Sequence, residues 1–159
     1  MWRLLSSLAV VLAFASCAQA PSTIQRTATP TVIVVPTVLP NGRVEIAIQP
    51  RYLLSQPTRI DVAIVATRGT ITGPTQARVM ASGINEGGAP SEVLVRRLDV
   101  SAVTATADRR ATTFVTWNGE DQFGVRVPAD AYVLLLEFES KDGENVGTIR
   151  ATATLQMND

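Results

Sequence analysis

The chain has 159 residues, a length that suits one domain. Fourteen Lys and Arg balance fourteen Asp and Glu, with no charge run and no basic stripe, which argues against nucleic acid as a partner. There is no histidine, so the commonest general base and metal ligand are missing, and the single cysteine excludes an intrachain disulfide.

Residues 1–16 open with a positive Arg3 followed by the apolar run LLSSLAVVLAFA. That run is too short to span a bilayer and has the layout of a secretory signal. Phe14-Ala15-Ser16-Cys17 resembles a bacterial lipobox, in which small residues precede a cysteine that is acylated and becomes the first residue. The resemblance implies lipidation at Cys17 and a membrane as one partner. Ala18-Gln19-Ala20 also fits the small-x-small pattern of an ordinary signal, which would end at 20 and leave a secreted or periplasmic soluble chain. The expectation is an exported, membrane-anchored lipoprotein of the cell envelope. Removing the segment before Cys17 takes out Arg3, so the mature charge is 13 − 14 = −1.

Residues 17–40 are rich in Thr and Pro and read as a tether between the anchor and a domain over 41–159. Within the tether, residues 31–35 are apolar enough for a short strand, which Pro30 and Pro36 confine to a sheet edge. Asn41-Gly42 marks a turn.

Residues 43–49, RVEIAIQ, alternate, with Val44, Ile46 and Ile48 on one face. Residues 59–67, RIDVAIVAT, repeat the pattern with Ile60, Val62, Ile64 and Ala66 inward, and the two runs are expected to pair. Residues 50–57 read as a connection. Gly69, Gly73 and Pro74 break the chain before a short strand at 77–81. Asn85, Glu86, Gly87 and Gly88 form a glycine-rich loop, the candidate interaction surface, because loops on a rigid scaffold carry much binding. Residues 92–100 are a further strand whose Arg96 and Arg97 point to opposite faces. A small, polar connection follows, with room for a strand at 102–105.

The chain is organised around WNGEDQFGVRVPADAY, residues 117–132. A strand over 113–117 ends at Asn118-Gly119, and Gly124 supplies a second position tolerant of positive φ. Asp121 is placed to accept backbone N–H groups of a turn, and Pro128 stops the chain from pairing before Tyr132 opens a long strand. Along that strand Tyr132, Leu134, Leu136 and Phe138 share one face. Asp142-Gly143 signals a hairpin, and residues 146–157 return with Ile149, Ala151, Ala153 and Leu155 alternating.

The residues Trp117, Asn118, Gly119, Asp121, Gly124, Val127, Pro128 and Tyr132, with SEVLVRRL upstream, resemble the immunoglobulin-like domain of flagellar hook-capping proteins. The same W-x-G…V-P…Y corner is similar to that of a family of small β-sandwich proteinase inhibitors. Both resemblances imply one fold class, which the strand count supports: an all-β, immunoglobulin-like antiparallel β-sandwich of about seven strands. In that fold Trp117 and Tyr132 are core and corner packing.

Function is less constrained. Glu120 and Asp121 are too few oxygens for calcium, so no metal or other cofactor is expected. Glu137 and Glu139 lie roughly 7 Å apart along one strand face, without aromatics for sugar stacking, and read as solvated acids. The expectation is a non-enzymatic envelope binding or scaffold module acting on an unidentified protein partner. The alternative is a secreted proteinase inhibitor.

Overall fold

The computed structural model describes residues 31–159 apart from 85, 87 and 89. The signal segment, Cys17 and most of the tether lie outside the described residues, as do Asn85 and Gly87 of the expected interaction loop.

Alternation of apolar and polar side chains sets the architecture, because a strand turns successive side chains to opposite faces. Ten strands form among the described residues: β1 Ile33–Leu39, β2 Gly42–Ile48, β3 Tyr52–Leu53, β4 Thr58–Ala66, β5 Thr70–Ile84, β6 Pro90–Leu98, β7 Val103–Thr106, β8 Ala111–Trp117, β9 Ala131–Asp142 and β10 Asn145–Asn158. One sheet has the order β1-β2-β4-β8, and the other β3-β10-β9-β5-β6, with β7 paired to β5. The described residues thus form an all-β sandwich of two mostly antiparallel sheets. Among the described residues there are ten strands rather than about seven, and β3 pairs parallel to β10 while the other pairs are antiparallel.

The two layers meet in one core. Val44, Ile46, Ile60, Val62 and Ile64 of the first sheet face Ile71, Val79, Leu134, Leu136, Phe138 and Leu155 of the second, all at or near zero exposure. Burying a side chain of this size contributes about 1.5–3 kcal/mol. The expected partnership of residues 43–49 with 59–67 is the β2–β4 pair, Ile46 opposite Val62.

β1 runs further than expected, through Pro36 to Leu39. Proline lacks a donor, and β1 lies at the edge of its sheet, where one row of backbone groups has no strand to meet. The larger departure is β5. Gly73 and Pro74 were expected to end a segment, yet the strand continues past a register shift between Thr72 and Gln76. Gly73 lies so close to Phe138 that an added Cβ would stand 2.5 Å from its ring, so the glycine admits the aromatic rather than breaking the strand. β3 forms within the segment that the sequence predicts as a connection. Its Tyr52 is buried, and the Tyr52 hydroxyl accepts the Gln49 N–H at 2.8 Å.

Register fixes which segments share an end. Ile33 lies opposite Ile48, Ala47 opposite Asp61, and Thr58 opposite Trp117 in one sheet. In the other, Tyr132 lies opposite Leu155 and Ala81, and Leu53 opposite Asn158. The start of β1, the β2–β4 connection and the β8–β9 corner therefore occupy one end of the sandwich. Ile84 and Pro90, which bracket the expected interaction loop, lie at that end too.

Candidate functional site

The β8–β9 corner is a braced turn between the layers. Trp117 is 1% exposed, and its indole N–H donates to the Glu120 carbonyl at 2.9 Å. Tyr132 packs edge-on against it, ring centroids 5.2 Å apart at 71°, a geometry that suits the quadrupoles of two aromatic rings. The Tyr132 hydroxyl donates to the Pro128 carbonyl at 2.9 Å, as in the tyrosine corner of immunoglobulin-like domains. Burial pushes the Tyr132 phenol above its ordinary value, with the nearby Asp130 adding to the shift.

Between the aromatics, Asp121 organises the backbone. One carboxylate oxygen accepts the N–H groups of Phe123 and Val125 at 2.8 and 2.9 Å, while the Asp121 N–H donates to the Val125 carbonyl at 2.8 Å. Gly119 and Gly124 have φ of 72° and 78°, the left-handed conformations the sequence required. Beside Gly119 there is little room, since a Cβ there would stand 3.2 Å from the Leu54 side chain. The Val127 N–H closes the turn on the Gly119 carbonyl at 3.0 Å. Residues 125–127 form no strand; Arg126 makes only a single bridge with Glu120.

Bonds from this turn reach both sheets. Trp117 ends β8. The Gln122 N–H donates to Val95 of β6 at 2.9 Å, and Met157 of β10 donates to the Asp130 carbonyl at 2.9 Å. The Arg126 guanidinium donates to the Leu54 carbonyl, and Arg96 to the Asp121 carbonyl at 2.7 Å. Arg96 thus docks on the corner while Arg97 is exposed, as opposite faces of a strand dictate. Trp117, Asn118, Gly119, Asp121, Gly124, Val127, Pro128 and Tyr132 all lie in or at the ends of this turn. Of the expected interaction loop, Glu86 and Gly88 are described and exposed.

The acidic pair of the corner is engaged by protein donors. Glu120 accepts the Asn118 side-chain amide at 2.6 Å and lies 3.7 Å from Arg96, and Asp121 is bonded to backbone as described. Glu137, expected to be solvated, is instead buried on the outer face of the second sheet. Arg78 and Arg150 from the flanking strands reach it at 3.3 and 3.1 Å. Glu139 is exposed.

Two features are not predicted by the sequence pattern. Phe123, at the tip of the corner, is 79% exposed, and Val125 beside it 61%. An aromatic in a polar, glycine-flanked turn was the available signal. On the outer face of the first sheet, Ala47 and Ala63 leave a shallow groove of about 350 Å³ beside Phe114. Its rim is ionic: Arg59 lies 4.0 Å from the Phe114 ring centre and bonds Asp61, and Glu45 bonds Arg43 and Arg110. The hydrogen bond from Arg43 holds the Glu45 carboxyl below its ordinary value.

No family model matches the chain, and no curated protein matches it. Among solved structures it is similar to a β-glucosidase from Listeria innocua in complex with isofagomine, at 12% identity and a TM-score of 0.37. That match covers 80% of this chain but 16% of the glucosidase. It is also similar to AggA, the major subunit of aggregative adherence fimbriae type I from Escherichia coli, at 10% identity and a TM-score of 0.34. There the match covers 81% of this chain and 94% of the fimbrial subunit. At such scores the likeness says nothing of activity or partner.

Proposed function

We propose that the protein is a non-enzymatic binding or scaffold module of the cell envelope, exported and held on a membrane by lipid at Cys17, and acting through protein–protein contact. The observation that carries the reading is the order of its parts: a lipobox-like cysteine, a Thr/Pro-rich tether, and then a single sandwich. The chemistry of the domain supports it. The carboxylates Glu137, Glu120 and Asp121 are bonded to arginine, amide or backbone donors, a use that serves structure rather than proton transfer. The hook-capping resemblance at the corner accords with such a module and does not by itself assign a flagellar role, since a fold hosts many functions.

Fractionation tests the anchor. Wild-type protein is expected in the membrane fraction, with a lipid-modified Cys17 in the mass spectrum, and Cys17→Ser is expected in the soluble fraction. Equal partitioning of the two would overturn lipid attachment. The alternative, a proteinase inhibitor, is tested by a panel of proteases assayed with micromolar protein, for which the proposal predicts no inhibition.

A further inference from the structure

We infer that the corner end of the sandwich is a bilayer-contacting surface, with the Phe123–Val125 tip lying in the membrane interface. This inference rests on the lipid-anchor reading above and names what that anchored end touches.

Three observations carry it. First, the chain outside the described residues joins the domain at this end, because β1 begins at Ile33, opposite the last residue of β2. Fifteen residues separate Cys17 from Ile33, so the contour between lipid and domain is at most about 58 Å. The tether therefore keeps this end at high effective concentration near the lipid, and a weak contact suffices to seat it. Second, this end presents the exposed aromatic that a headgroup–acyl boundary accommodates, whereas among the described residues the opposite end exposes only the aliphatic Val38 and Val146. Phe123 is 79% exposed, Val125 61%, Val32 54% and Leu53 49%. A Phe at the end of a turn presents an aromatic body to lipid while its backbone stays with the protein. Third, the tip is preorganised. Asp121 holds the Phe123 and Val125 amides, so displaying these side chains requires no further ordering on contact.

Charge is not the driving force. Arg51 and Arg126 are exposed at this end, but so are Glu86, Asp130 and Asp159. The contact is apolar insertion of the Phe123 tip into the headgroup–acyl boundary. Seated this way, the domain lies against the bilayer, and the outer faces of both sheets remain free for the protein partner.

The test uses the full chain, exported and processed in its host, then reconstituted into vesicles of phosphatidylethanolamine and phosphatidylglycerol with or without brominated acyl chains. Cleavage before Cys17 removes Trp2, leaving the buried Trp117 as the sole native indole. Phe123→Trp then places a second indole at an exposed site where folding is not at stake. The expected result is a blue-shifted emission that brominated lipid quenches, with the Trp117 emission of wild type unchanged, because only the tip indole is placed within the interface. Wild-type protein that fails to float with the vesicles overturns the anchor, and this inference with it. Wild type that floats while F123W is neither shifted nor quenched overturns the seating of the corner alone. A shift that appears only after envelope extract is added overturns it in favour of a protein occupant.

Discussion

Truncating Tyr132 in two steps separates what its hydroxyl and its ring contribute to closing the sandwich. Tyr132→Phe removes only the bond to the Pro128 carbonyl, 2.9 Å long. Pro128 is exposed, so water can take the vacated acceptor, and the cost should be near the net value of one hydrogen bond, about 0.5–1.5 kcal/mol. Tyr132→Ala also removes a ring that is 4% exposed and packed edge-on against Trp117. Deleting a buried aromatic costs about 3–5 kcal/mol, because the cavity left behind collapses only in part. At about 3–5 °C per kcal/mol for a domain of this size, the phenylalanine variant should melt a few degrees below wild type and the alanine variant at least about 10 °C below. Thermal unfolding followed by circular dichroism reads both. A double-mutant cycle with Trp117→Leu should return a coupling of about 0.5–1.5 kcal/mol between the rings. A Tyr132→Ala cost below about 1 kcal/mol, or zero coupling to Trp117, would refute the claim that this pair locks the layers, since those values belong to exposed or independent sites.

Further expectations follow from the same turn. Gly119→Ala should destabilise by about 1–2 kcal/mol or more, because the left-handed φ is joined by a contact with Leu54. Gly143→Ala, at φ 63° but with open space around it, should cost only the backbone part, so urea midpoints must fall in that order. Asp121→Ala leaves two turn amides without their charged acceptor and should cost about 1–3 kcal/mol in urea unfolding. Stability should also fall in alkali. Burial raises the Tyr132 and Tyr52 phenols above their ordinary value of 10.0, so the folded chain keeps protons that the unfolded chain gives up. That contribution is complete below pH 10 and is lost as pH rises toward the folded values. The melting temperature of Tyr132→Phe should therefore decline less steeply above pH 10 than that of wild type.

Where side chains alternate cleanly, the fold was legible. Val44, Ile46 and Ile48, Ile60 to Ala66 in steps of two, and Tyr132 to Phe138 in steps of two all face the core as their spacing requires. The corner was legible because its chemistry is local: two glycines at positive φ, an aspartate accepting turn amides, and a tyrosine reaching four residues back. What could not be read depends on partners distant in sequence. Gly73 looks like a breaker until Phe138, far along the chain, needs the space. Tyr52-Leu53 is too short for any periodicity and becomes a strand only because the end of β10 lies beside it. Glu137 reads as a solvated acid until Arg78 and Arg150 cover it from the neighbouring strands.

Site-resolved hydrogen exchange over the corner tests most directly whether that turn closes the sandwich or merely rides on it. The amides of Asp121, Gly124, Val125 and Val127, and the Met157 amide bonded to Asp130, all have acceptors in or at the turn. If the corner closes the package, these amides should exchange only as fast as the core amides of Leu134 and Leu136, through opening of the whole domain. Exchange at the rate of an unstructured chain, with the core of β9 still protected, would contradict it.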